Sequence, residues 1–253
     1  MGTGPHLCFL HGFCENSSIW DKLVDELKAK YTCLTIDIPG FGKSSSLRMP
    51  SIPEVAIQIN ALLQHENIQI CTLFGHSMGG YVAAEYLSQF PDQLSAVGFI
   101  HSTVRSDSDL KKANRLKTIS FIETYGSAEF FKVFAPSLVA SHNLPALKDE
   151  LTRLVNSTSN QSIVDGLIAM KNREDKVPFL KSFKKPILFL KGELDEHYPE
   201  QEIYNQASLT ENVQLSVLSD TGHLSMFECP TQCHQEISTF LQFSEDLLST
   251  AIS

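Results

Sequence analysis

The sequence predicts an α/β fold: a mostly parallel six-stranded sheet, helices on both faces, and one helical insertion. Three observations lead there. Short β-rich runs alternate with stretches of helical spacing. That rhythm stops over residues 103–180 and then resumes. And "LFGHSMGG" (73–80) sets one serine among glycines where a strand gives way to a helix.

Taken in order, "HLCFLHG" (6–12) reads as a buried strand. "SSIWDKLVDELKAK" (17–30) places apolar residues at 19, 20, 23, 24 and 27, a helical spacing. "YTCLTIDIPG" (31–40) is a strand that ends at Pro39-Gly40. "SIPEVAIQINALLQHEN" (51–67) is a helix with Ser51 as its N-cap. "IQICTLFG" (68–75) is a strand, "MGGYVAAEYLSQF" (78–90) a helix stopped by Pro91, and "LSAVGFIHS" (94–102) a strand. Residues 103–180 hold helical patterns, a charged run "DSDLKKANRLK" that reads as a solvated face, and several phenylalanines, but no buried strand. "KPILFLKG" (185–192) and "NVQLSVLSD" (212–220) restore the strands, and a helix over about 230–248 follows. The expected organisation is a core of 1–102 and 181–253, with 103–180 inserted over the carboxyl edge of the sheet, where open α/β sheets hold ligands.

Composition narrows the functions. The 253 residues are 42% apolar and 19% charged, as in a globular chain. A formal net charge of −9 disfavours nucleic acid and anionic membrane as main partners. No apolar run approaches the ~20 residues of a membrane span, and "MGTGPHLCFLHG" lacks a basic segment before its apolar run. His6 in place of Ser or Thr argues against myristoylation. The expected compartment is the cytoplasm, and the expected state a monomer or homodimer. Cys8, Cys33 and Cys71 sit in strand-like runs as small apolar residues, so no disulfide framework is expected. "CPTQCH" (229–234) lacks a second ligand pair, and no metal site is assigned.

Gly75-His76-Ser77-Met78-Gly79 fits the nucleophile-elbow pattern G-x-S-x-G in its required strand-to-helix context. Small neighbours two residues either side let the turn throw the serine Oγ outward. A serine hydroxyl needs a base. His223, in "SDTGHLSMFECP", follows the last strand, whereas His76 should point away from the serine. An acid must orient the imidazole. Asp195, just past the fifth strand, is preferred over Glu193, Glu196 and Asp220, and Ser77…Asp195…His223 matches the chain order of one hydrolase architecture. The oxyanion donors expected are the N–H groups of Met78 and Phe13, the latter in the loop after the first strand. Substrate contacts are expected from Phe13, His11, Tyr81, His101, Phe134 and Met226. His101 could instead pack behind the site.

These segments together resemble the α/β-hydrolase superfamily: "FLHGF…W" (9–20), "DIPGFGKSS" (37–45), "GHSMGG" (75–80), "GELDEH" (192–197) and "GHLSMFECP" (222–230). The resemblance implies a sheet lacking the first two strands of the full family form, a helical cap at 103–180, and a structural role for Asp37. It implies a serine hydrolase of small to medium carboxylic esters, working through an acyl-enzyme without cofactor. The same residues also resemble C–C bond hydrolases and a pyruvate-eliminating synthase of the menaquinone pathway. That synthase carries arginine four residues beyond its serine, where this chain has Tyr81. Serine at the elbow disfavours dehalogenases and epoxide hydrolases, which need aspartate. A ligand receptor on a hydrolase scaffold is the non-enzymatic alternative.

Overall fold

A computed structural model describes residues 2–155 and 158–250. Six strands, β1 (His6–Leu10), β2 (Thr32–Ile36), β3 (Cys71–His76), β4 (Leu94–Ile100), β5 (Ile187–Gly192) and β6 (Val213–Leu218), form one sheet in the order β2-β1-β3-β4-β5-β6. Every pairing is parallel. The chain steps from β1 to β2 on one side and then crosses to β3 on the other. The carboxyl ends of β1 and β3 therefore meet at the switch point where α/β sheets open a crevice.

Alternation along the strands builds two cores. Cys8, Leu10, Leu73, Val97, Phe99 and Phe189 face one side, while Leu7, Phe9, Phe74, Ile100, Leu188 and Leu190 face the other. The first side is covered by α2 (Ile52–His65) and α3 (Met78–Gln89), the second by α1 (Asp21–Leu27) and α11 (Pro230–Thr250). Both faces are buried, so the strands read as continuous apolar runs. Ser51 does cap α2, in a reciprocal box with Glu54 that satisfies two backbone donors.

Between β4 and β5 lie α4 (Asp109–Tyr125), α5 (Ser127–Phe134), α6 (Leu144–Val155), α7 (Asn160–Asn172) and α8 (Val177–Ser182), with no strand among the described residues. Between β5 and β6 lies α9 (Glu200–Ala207), and α10 (Ser225–Glu228) precedes α11. No helix among the described residues is long and apolar enough to cross a membrane.

The elbow depends on close approach. A Cβ on Gly75 would lie 2.3 Å from the Gly79 carbonyl oxygen, and one on Gly79 would lie 2.5 Å from that of Leu10. All of these atoms are backbone, so nothing flexible can yield. Gly79→Ala should therefore lower the unfolding free energy by about 1–3 kcal/mol or more, read as a drop in denaturant midpoint. An unchanged midpoint would contradict this packing.

Candidate active site

Ser77 sits between β3 and α3 at φ 49° and ψ −113°, a left-handed conformation that a non-glycine residue adopts under constraint. Its N–H donates to the Ile100 carbonyl at 2.9 Å, and its own carbonyl accepts from the Ser102 hydroxyl at 2.7 Å. Both bonds tie the turn to the end of β4. Ser77 stands at the N-terminus of α3, the positive end of the helix dipole. Among the described residues, neither the Met78 nor the Phe13 N–H has an acceptor, as two oxyanion donors require.

The loops after β5 and β6 bring Asp195 and His223 together. His223 Nδ1 donates to Asp195 Oδ2 at 2.8 Å, leaving Nε2 as the free ring nitrogen. Asp195 Oδ1 accepts from the His197 N–H at 3.0 Å. A second imidazole shares the carboxylate: His101 Nδ1 lies 3.0 Å from the same Oδ2, and its Nε2 lies 2.9 Å from the Ser225 hydroxyl. The same Nδ1 also accepts from the Gly192 N–H at 3.2 Å, and the Ser225 hydroxyl also reaches Cys233 Sγ at 3.5 Å. Burial lowers the His101 pKa against the pull of Asp195. Burial alone would raise the Asp195 pKa, but the two imidazoles outweigh it and hold the carboxyl well below its ordinary range. His101, Asp195 and His223 also form a cluster that could ligate a metal. Both imidazoles are already hydrogen-bonded to the Asp195 carboxylate.

His76 carries a second set of contacts that its sequence position did not reveal. Its Nδ1 lies 2.9 Å from Glu15 Oε2 and its Nε2 lies 2.9 Å from the His223 carbonyl. Both partners are acceptors, so the ring donates at both nitrogens and is an imidazolium. Burial opposes that charge, yet Glu15 raises the His76 pKa. Glu15 is likewise pulled below its ordinary value by His76, against its own burial. Glu15 Oε2 also accepts the Gly12 N–H at 2.6 Å. One buried ion pair thus links the loop after β1, the residue before the nucleophile and the residue bearing the candidate base.

Ser77 and His223 line one cavity of about 250 Å³. Of the residues expected to touch substrate, Phe13, Tyr81 and Phe134 line it. Three others do not. His11 is fully buried, its Nδ1 bonded to the Gly12 carbonyl and its Nε2 accepting from the Ile38 N–H, so it staples two loops together. His101 lies behind Asp195. Met226 faces a hollow between α1 and the start of α11. Asp37 accepts the N–H groups of Ser17 and Lys43, a loop-bracing position.

The cavity also takes residues that the sequence reading passed over. Tyr198 bonds the Tyr81 hydroxyl at 2.5 Å, and the Arg173 guanidinium stacks 3.7 Å above the Tyr81 ring. Burial, with His223 beside it, pushes His197 down to about 4. Lys111, Asn114, Arg115 and Thr118, drawn partly from the charged run read as a solvated face, form one wall. Their spacing of three and four residues would have shown a shared helix face, but not what that face meets.

A serine, a histidine and an aspartate carried on loops after three strands of a parallel sheet, over a crevice with free N–H donors, define the class as an α/β hydrolase. The comparisons agree. The family model of the alpha/beta hydrolase fold matches residues 5–230, and the chain belongs to that family. The pimeloyl-[acyl-carrier protein] methyl ester esterase of Vibrio vulnificus strain YJ016 is 25% identical over 249 residues, 94% of this chain and 95% of that protein. The biotin biosynthesis bifunctional protein BioHC of Cellvibrio japonicus is 24% identical over 99% of this chain and 49% of its own length. An esterase of Thermogutta terrifontis, solved with malate bound, superposes with a TM-score of 0.90 at 24% identity, over 96% of this chain and 92% of that one.

Replacing His76 by Gln should strand the buried Glu15 charge and reduce stability by about 3–5 kcal/mol. The Glu15→Gln/His76→Gln double variant should recover part of that loss, because no charge is left unpaired. In the single variant a cation beside His223 is gone, so the protonated form of His223 is favoured and its pKa rises. The acid limb of kcat/KM should then move to higher pH. Denaturant melts and a pH profile check both outcomes. A profile superimposable on that of the wild type would contradict the electrostatic coupling.

Proposed function

We propose that the protein is a serine carboxylic-ester hydrolase in which Ser77 is the nucleophile, His223 the base and Asp195 the orienting acid. The observation that carries this reading is the 2.8 Å bond from His223 Nδ1 to Asp195, with His223 lining the same cavity as Ser77. In this reading His223 Nε2 takes the Ser77 proton as Oγ attacks the ester carbonyl. The Phe13 and Met78 N–H groups receive the oxyanion, and the positive end of α3 favours the same charge. Collapse expels the alcohol, which takes the proton from His223. Water, deprotonated by His223, then attacks the acyl-Ser77 carbonyl and frees the acid.

Phe13 and Phe134 wall the cavity on one side and, with Tyr81, shape the acyl seat. The helices over 103–180 act as the cap. Two curated relatives from Vibrio vulnificus that span 94% of this chain are named as methyl ester esterases, which supports the ester reading over C–C cleavage. Free thiols at all six cysteines fit a reducing, cytoplasmic compartment.

Burial lowers the His223 pKa below the ordinary ~6.5, and neighbouring His76 and His101 add to this against the pull of Asp195. A base works when neutral, so a lowered pKa extends activity to lower pH. The acid limb of kcat/KM should fall below pH ~6.5. A fluorophosphonate should label wild type and leave Ser77→Ala unlabelled, and that variant should not turn over short p-nitrophenyl esters. Asp195→Asn should lower kcat by about 10⁴. Near-normal turnover in Asp195→Asn would move the acid role elsewhere, and a single burst without turnover would favour a receptor.

A further inference from the structure

The cavity is electrically one-sided. Phe13, Phe130, Phe134, Leu138 and Leu167 make an apolar wall. α4 adds Lys111, Asn114, Arg115 and Thr118 to the lining, positions 0, 3, 4 and 7 of one helical stripe. The cationic groups there outnumber the carboxylates that serve them. Asp107 accepts from Arg115 Nε and pairs with Arg173 Nη1 at 2.7 Å, so one buried carboxylate balances two guanidinium groups. Arg115 Nη2 also reaches Asp107 Oδ1 at 3.4 Å, while Nη1 donates to the Met170 thioether 3.4 Å away, a weak acceptor for a charged donor. Lys111 Nζ donates to the neutral His197 carbonyl at 3.1 Å and lies 5.1 Å from the Tyr198 ring centre. The nearest lining carboxylate, Glu15, is already committed to His76 and Gly12. Counted with Arg173, three cations here face the single carboxylate of Asp107, and Lys111 has no carboxylate partner among the described residues, in a chain whose overall charge is −9.

We infer that this wall seats an anion carried by the substrate, a carboxylate at the end of the molecule remote from the scissile ester. The inference rests on the ester-hydrolase reading and names the substrate class for that same cavity. The apolar wall takes the methylene chain between the two ends. A guanidinium and an ammonium, both partly desolvated, gain more from a carboxylate than from a neutral tail, because charge-assisted bonds are about twice as strong as neutral ones. The Asn114 amide and the Thr118 hydroxyl can add donors along the same stripe. A volume of about 250 Å³ lies below the roughly 300–1,000 Å³ of drug-sized sites, so the fitting substrate is a short one. A monoester of a short dicarboxylic acid has these features.

The test compares monomethyl adipate with methyl hexanoate, which has a similar chain length but no charge. Wild type should favour the anionic ester in kcat/KM by about tenfold or more, with the preference shrinking as KCl is raised. Asn114→Asp puts a negative charge in the seat without touching the Arg115–Asp107 pair, and Lys111→Met removes one cation. Each should cut the ratio of the two kcat/KM values about tenfold. A second measurement needs no turnover. Calorimetric titration of Ser77→Ala with the two esters should show tighter binding of monomethyl adipate, weakened by either substitution. If neither ester is turned over by wild type but that binding preference holds, the hydrolase reading fails and the anion seat stands. Equal kcat/KM for the two esters in wild type, preference for methyl hexanoate, or a ratio unmoved by both substitutions would overturn the inference.

Discussion

The arrangement at the crevice depends on one buried charge. His76 sits inside the protein as an imidazolium because Glu15 meets one ring nitrogen and the His223 carbonyl meets the other. A buried ion pair is tolerable only with further hydrogen bonds to its members, and here the Gly12 N–H adds a second donor to Glu15 Oε2. What the pair supplies is registration rather than stability. It fixes three segments that are far apart in sequence: the loop bearing the candidate oxyanion donor, the strand end bearing the serine, and the loop bearing the histidine. Each would otherwise move independently at the sheet edge.

Asp195 works by a related logic on the other side of His223. Its single Oδ2 faces two imidazoles, and its Oδ1 takes a backbone N–H. The carboxylate is thus over-determined in position. His101 adopts a left-handed backbone, φ 46°, at the end of β4. That strain is consistent with a residue held by its side-chain partners on both sides, Asp195 and Ser225. Around His223, burial and two neighbouring imidazoles all favour the uncharged ring, and only Asp195 favours the charged one.

The sheet and the elbow were legible because their signals are local. Alternating and continuous apolar runs placed each strand to within about four residues, and Ser51 marked the start of α2. The proximity of Asp195 and His223 was also legible, since both follow adjacent strands in a parallel sheet. Lateral contacts were harder to foresee. Whether His101 reaches Asp195 depends on the spacing of β4 and β5 at their carboxyl ends, across 94 residues of sequence. The pairing of Glu15 with His76 depends on β1 lying beside β3, which the strand order fixes but the motif does not. His11 and Met226 were misplaced for a simple reason: standing next to a motif says nothing about which side of the loop a side chain takes. The charged run on α4 read as solvated because its composition is that of a surface helix, and only the packing of the insertion turns one stripe inward.

Glu228 has a bearing on how the helices above the sheet can behave. Its carboxylate accepts from Ala140 N–H, the Asn143 amide, Gly222 N–H and Leu224 N–H, while the His223 N–H donates to the Leu138 carbonyl. The segment after α5 and the loop of the histidine are therefore stitched into one body. A roof that swung wholesale on a hinge would tear these bonds and drag the imidazole out of alignment. A path to Ser77 that leaves these bonds intact runs past the phenylalanines and α4 that line the cavity.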